Sequence, residues 1–418
     1  MADSFQLLLK QNEWQSALAN AFKIMGCKDN LTEIDNSLVG AVTEEGGKFH
    51  DKNQYTFIDN VPSRVYDPTN SNVLEAEEIP ASTQQQIRVD NIRQIAITTD
   101  LLGLTGRAWG DEGSFGQYKN LVVSQVEKCK KVYDHKKVNV GIGTLESSIG
   151  KQSQTVTLYD AEVGDTAKDT EAKNRMNAQL IAKKITDIKA ELREPSTDYT
   201  DIGYLDTFDD KKMTVVWNQS WLSTINLLDL PTVYNDNYFD FNGKQLLAEF
   251  MGTKVNTTGT ADGSTHRALD EYKIPVWSED ETGEGATALK GDYKSSATAT
   301  EYKVVRPGDL LPKGTPIVAL ATALTTKDNF QTSYTRLGKT IYRNVSVYDT
   351  VHAYVPDSTI ICKILALGEG VKYLSGLRSS GEFQNFKNNT SNYYTTFCYS
   401  EVEALGGYPV ITIRKYTA

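Results

Sequence analysis

The chain has 418 residues, 39% of them hydrophobic, and a formal net charge of −10. That length supports two or three domains, or one core carrying a large insertion. The acidity argues against a grip on nucleic acid driven by phosphate neutralisation, and no run of about 18 apolar residues is present to span a membrane.

Residues 4–25 carry an amphipathic pattern of Leu8, Trp14, Leu18, Phe22 and Met25, which predicts a helix or an arm that becomes helical against a partner. The opening is acidic early and its apolar run is too short for a secretory signal. A polar stretch to about Asn53 reads as an extended arm. QYTFIDNVPSRVYD (54–67) has strand character limited by Pro62 and Pro68. Residues 71–86 are polar and acidic, as at the tip of a two-armed loop. In QIRVDNIRQIAITTD, Ile87, Val89, Ile95 and Ile97 share one strand face. Asn91 and Arg93 interrupt that face and Ile92 points the other way, predicting a strand half clear of the body.

GSFGQYKNLVVSQVEKCKKVYDHKK (113–137) is the most strongly patterned stretch. Ser114 with Gln117 forms a capping box. Phe115, Tyr118, Leu121, Val122, Val126, Cys129 and Val132 then recur at helical spacing. Lys130, His135, Lys136 and Lys137 are placed near the far end, where positive charge suits the helix dipole. The predicted helix, 114–136, is a rod roughly 30 Å long. VNVGIG (138–143) follows as a short buried strand.

TVTLY (155–159) predicts a strand, and Met176, Leu180, Ile181, Ile185, Ile188 and Leu192 give a second helix a core face before Pro195. MTVVW (213–217) is a strand and QSWLSTINLLDL a short helix. Residues 254–349 are rich in Gly, Ser, Thr and Asp, with strands at 273–277, 315–324 and 339–355. They read as a small β-rich insertion. STIICKILAL (358–367) is a buried strand by its continuous apolar run. Residues 369–396 read as an aromatic loop, and GGYPVITIRKY closes the chain as a strand.

The candidate chemistry is thin. LESSIGKQS (145–153) has Leu145 where a phosphate loop needs its first glycine, and Gln152 in place of the magnesium-binding hydroxyl. GIG (141–143) lacks the third glycine of a dinucleotide fingerprint. His50, His135, His266 and His352 have no metal-ligand spacing. Asp209-Asp210 and Glu279-Asp280-Glu281 lack the alternating ligands and central glycine of a calcium loop. No nucleophile elbow occurs. Cys27, Cys129, Cys362 and Cys398 are scattered and read as reduced, buried residues. These residues predict no enzyme, no cofactor and no metal.

The order of features resembles the major capsid proteins of tailed bacteriophages, with their Hong Kong 97-type α+β fold. The wording of RQIAITTDLL, GSFGQYKNLVVSQVEK, STDYTDIGYLDTFDDKKMTVVWNQSWLSTINLLDLPTVYNDNYFDF and ALGGYPVITI is similar in particular to capsid proteins of short-tailed phages, the podoviruses. The resemblance implies an N-terminal arm (1–58) and an extended β-hairpin loop, the E-loop (59–98). It implies a peripheral domain with spine helix 114–136 and part of the axial domain over 99–253. The insertion (254–349) and a C-terminal axial and peripheral part (350–418) complete the chain. It also implies self-assembly, through hexamers and pentamers, into an icosahedral shell. The shell would enclose double-stranded DNA without sequence-specific binding. Portal protein and scaffolding or decoration proteins would be its partners, with assembly in the host cytoplasm and the virion as the destination. Expected contact residues between subunits are Ile87, Val89, Ile92, Ile95, Trp14 and Phe22, with Phe115, Tyr118, Val122, Val126 and Cys129 on the spine helix. Three competing readings are a cell-surface or carbohydrate-binding β protein, an enzyme whose site carries no sequence motif, and an encapsulating bacterial compartment shell of the same fold.

Overall fold

The computed structural model describes residues 37–45, 49–61, 63, 69, 80–100, 112–159, 167–226, 243–277, 290–295, 301–324, 326–336, 339–385 and 390–416. The expected N-terminal helix, with Trp14 and Phe22, lies outside the described residues, as does most of the expected loop tip.

In chain order the elements begin with α1 (Ser37–Val42), β1 (Thr43–Glu45), β2 (Lys52–Ile58), β3 (Ser82–Arg88), β4 (Asn91–Asp100) and α2 (Glu112–Thr144). Then come β5 (Ser153–Val156), α3 (Ala167–Arg193), β6 (Thr214–Asn218), α4 (Gln219–Asn226) and β7 (Lys244–Leu246). Short strands β8 (Gly252–Lys254), β9 (Gly259–Thr260), β10 (Arg267–Ala268), β11 (Tyr272–Val276), β12 (Glu301–Val305) and β13 (Pro316–Ile317) follow. The chain continues with β14 (Thr326–Arg336), β15 (Lys339–Tyr348), β16 (Ala353–Pro356) and β17 (Ile360–Leu365). It ends with β18 (Val371–Asn385), β19 (Thr390–Tyr399), β20 (Glu403–Ala404) and β21 (Val410–Lys415). The fold is mixed α and β, rich in strand, and divides into two compact units.

The first unit comprises residues 1–53, 87–135 and 373–401. Its sheet runs β1-β18-β19-β4, with β1 parallel to β18 and the other pairs antiparallel. β4 is paired along its whole length with β19, from Asn91–Tyr399 to Asp100–Thr390. It forms an edge of the sheet, and its described side chains alternate between half-buried and exposed. α2 packs on this sheet through Tyr133, whose hydroxyl donates to that of Tyr399 at 2.8 Å. Their rings meet edge to face, a favoured arrangement for the aromatic quadrupole. Asp134, also buried, accepts from the Tyr373 hydroxyl and from Lys130 Nζ, each at 2.8 Å.

The second unit comprises 54–86, 136–372 and 402–418. Its central sheet runs β5-β21-β17-β6-β7. One face of α3 covers it: Ile181, Ile185, Ile188 and Leu192 are buried in one cluster with Val215, Trp217, Ile361 and Ile413. Met176, expected on that face, is 45% exposed. Residues 261–353 hold a second cluster of their own, built from Ala261, Tyr272, Ile274, Val305, Leu311 and Val351.

Four expectations are corrected. VNVGIG is helix, the last turns of α2, because burial on several sides outweighs the strand preference of its β-branched residues. Gly141 and Gly143 permit that approach: a Cβ on Gly141 would lie 2.5 Å from Val402, and one on Gly143 would strike the Phe250 carbonyl. The helix thus ends at Thr144, so Lys130, His135, Lys136 and Lys137 are interior to it, and no basic residue occupies its last turn. Lys136 instead pairs with Asp309 at 2.8 Å, and buried Lys137 with Asp270 at 3.1 Å. Residues 369–396 are strand over most of their length (β18 and β19), their Tyr, Thr and Phe content being strand-forming once paired. Of TPIVALATAL only Pro316–Ile317 is strand, since the chain turns at Ala319–Thr322.

Candidate functional site

No catalytic arrangement forms among the described residues. No group of three His, Cys, Asp or Glu comes together to hold a metal. His50 lies 3.6 Å from Asp90, His266 lies 3.4 Å from Asp262, and His352 Nδ1 is 3.4 Å from the Val318 carbonyl. The glycine-lysine stretch at 150–152 is a single 3₁₀ turn. Gln152 is buried there, its side chain reaching Asp201 and the Val410 amide, and Lys151 pairs with Asp198. These contacts tie a loop to the sheet and leave no cradle of amides for an anion. Asp209 accepts from the Lys211 amide, as a turn residue does. No described helix is long and apolar enough to cross a membrane.

The surface feature that stands out is the β2–β3 hairpin. β2 alternates throughout and β3 from Gln84 onward, with Tyr55, Phe57 and Gln85 half-buried and Ile87 buried on one side and Gln54, Thr56, Ile58, Gln84 and Gln86 exposed on the other. In the second unit the inward side is anchored. Gln85 donates to the Ala404 carbonyl at 3.0 Å and accepts from the Gly406 amide at 2.8 Å. The Thr83 and Tyr204 hydroxyls are 2.6 Å apart. The ring of Phe57 lies where a side chain on Gly407 would be, so only glycine admits it. Beyond this anchored base β2 ends in Ile58, 67% exposed, and Val61 three residues on is 46% exposed. Asp59 joins this end to the body, accepting from the Leu205 amide at 3.3 Å, and Leu205 is itself exposed.

The structure sorts the expected contact residues. Ile87 and Val89 are fully buried within their own chain, which leaves them no apolar surface to offer a neighbour. That corrects the expectation for both: Ile87 is the inward-facing residue near the end of β3, and Val89 lies just past that strand. Ile92 is 40% exposed and Ile95 half-buried on β4. Cys129 is exposed on α2, against the expectation of a buried thiol, whereas Cys362 and Cys398 are buried. The side chains of Phe115, Tyr118, Val122 and Val126 lie outside the described residues, and so does Cys27. Ile58, Val61 and Leu205 were not singled out from sequence. The alternation of QYTFID carried the signal for Ile58.

No protein-family model and no curated protein matches the chain. Among solved structures, a chain from the capsid of Staphylococcus phage Andhra is similar with a TM-score of 0.54 at 10% identity, over 93% of this chain and 86% of that one. A chain from the structure of the head fiber and inner core protein gp22 of native bacteriophage P68 gives a TM-score of 0.48 at 11% identity, over 91% and 84%. At such identities the likeness is one of fold.

Proposed function

We propose that this chain is the major capsid protein of a tailed bacteriophage, a structural protein that assembles with copies of itself into an icosahedral shell. The observation that carries the proposal is the shared fold with the Andhra capsid chain over 93% of the residues present. The sequence resemblance to podoviral capsid proteins supports the finer reading: a Hong Kong 97-type subunit that forms hexamers and pentamers and encloses double-stranded DNA. On that reading portal and scaffolding or decoration proteins are its partners. Assembly occurs in the host cytoplasm and the subunit ends in the virion.

Within this reading the β2–β3 hairpin is the element that reaches a neighbour, through Ile58 and Val61 at its far end and the segment beyond them. Ile92 and Ile95 on β4, and Trp14 and Phe22 of the arm, are further proposed contacts. Phe115, Tyr118, Val122, Val126 and Cys129 belong to the spine helix. Apolar area removed from water contributes about 25 cal/mol per Å² before the costs of association, so modest contacts repeated over a lattice close a shell.

The test is electron microscopy of the expressed full chain beside a variant lacking residues 68–79. This deletion spares Thr83 and Gln85, which hold the hairpin base. The expected result is closed shells or curved sheets from the full chain. The variant should keep its circular dichroism spectrum yet assemble poorly. Uniform small particles from the full chain under all conditions would overturn the proposal. Shells from the host that carry packaged protein and no DNA would favour the compartment reading.

A further inference from the structure

β17 is buried at all six positions, and at its centre stands a lysine. Lys363 is fully buried. Its register partners are Val216 on β6 and Thr412 on β21. Its Nζ donates to the carbonyl of Leu145, the residue just past the end of α2, at 2.5 Å. That is its one hydrogen bond among the described residues. An ammonium carries three N–H donors, so the charged form leaves two of them without an acceptor in a dry site, at substantial cost.

The surrounding charges do not remedy this. Two carboxylates and two cations face the amine: Glu146 after α2, Asp357 before β17, Lys254 on β8 and Arg414 on β21. Glu146 is engaged by Arg414 and by the Thr253 hydroxyl. Asp357 accepts from the Thr359 amide and hydroxyl and lies 3.4 Å from Arg414 Nε. The hydroxyl oxygen of Thr412, also buried, has no hydrogen-bond partner among the described residues. With one acceptor engaged, the neutral amine leaves one N–H unpaired where the ammonium leaves two.

We propose that Lys363 is a proton-operated catch: the neutral amine seats the end of α2 on β17, and the ammonium loosens that junction. Burial is the first cause that pushes the Lys363 pKa down, from 10.5 to about 7. Between those two values the unfolded chain binds a proton that the folded chain refuses. Stability therefore rises with pH across that window, and the penalty is complete below it. The proposal does not depend on shell assembly.

Urea unfolding of the full chain and of Lys363→Met, from about pH 6 to about pH 10, reads the linkage. The variant should be favoured most at the acid end, and its advantage should shrink steadily as pH rises. An advantage that does not change with pH would overturn the proposal. Hydrogen exchange locates the effect: after correction for intrinsic rates, the wild-type amides of 140–146 and 360–365 should lose protection on acidification while those of α3 keep theirs. Uniform loss everywhere would mean general destabilisation and no catch. Should the variant not fold, NMR titration of ¹³C-labelled lysine in the wild type decides. A Lys363 midpoint below about 8.5 supports the neutral amine, and a higher one refutes it.

Discussion

The guanidinium carbon of Arg93 lies 3.8 Å from the centre of the Tyr133 ring. Arg93, with Asn91, breaks the apolar face of β4, and the contact explains why a charge is tolerated there. The cation covers the aromatic ring that α2 presents to the sheet, and Tyr133 in turn bonds Tyr399. Replacing Arg93 by Ala should cost about 1–2 kcal/mol, the range for a partly desolvated cation–π pair. Equilibrium urea unfolding measures it, and a loss under about 0.3 kcal/mol would make the stacking incidental.

Asp134 presents a higher stake in the same unit. It is buried and holds both the Tyr373 hydroxyl and the Lys130 ammonium. Asp134→Ala removes the acceptor of the buried Tyr373 phenol, while Lys130 keeps the Ser375 hydroxyl, so a loss of about 2 kcal/mol is expected. Asp134→Asn keeps an acceptor for Tyr373 and should recover part of that loss. If the two variants unfold at the same denaturant concentration, the carboxylate is not what organises this corner.

The glycines of α2 give a steric prediction. Gly143→Ala directs a methyl group into the Phe250 carbonyl, a backbone atom that cannot swing away. The change should cost at least about 2–3 kcal/mol despite alanine's better helix propensity. Gly150→Ala, with open space around its added methyl, should be within about 0.5 kcal/mol of wild type. Thermal unfolding of the pair separates packing from propensity.

Thiol reactivity follows burial. Cys129 is exposed, while Cys362 and Cys398 are enclosed and desolvation raises the Cys362 pKa. In native protein a maleimide should modify Cys129 within minutes and spare Cys362 and Cys398 until denaturant is added. Peptide mass spectrometry after brief labelling reads the ratio. Prompt modification of Cys362 would contradict the buried placement of β17.

If the chain builds a shell, its net charge of −10 opposes each association. Salt shortens the range of that repulsion to about 8 Å at physiological ionic strength. Assembly followed by light scattering should therefore speed up from low to moderate salt. A steady decline over the same range would place attractive ion pairs, and not repulsion, in control of association.

Where the sequence was legible, one dominant period was present. The α3 face from Ile181 to Leu192 and the apolar run of β17, interrupted only by Lys363, were both legible, and both appear in the fold. β18 and β19 were illegible because Ser, Thr, Asn and Tyr occupy both faces, so no alternation of polarity reports the pairing. Gly381 shows how the pair fits: the Tyr394 ring crosses over it, and an added Cβ would lie 2.7 Å from the phenol oxygen. VNVGIG misled because its composition belongs to strands while its surroundings require a thin helix. The outward residues of the hairpin were visible in QYTFID, but the inward seating of Ile87 and Val89 depends on long-range contacts that no local pattern reports.

At positions where even a methyl group is excluded by backbone and branched neighbours, substitution is restricted far more tightly than in a tolerant apolar interior. In comparisons near 10% identity, such as that with the Andhra chain, most side chains have been exchanged and composition says little. In this chain the long helix closes on two such bare positions, Gly141 and Gly143, with Ile142 between them.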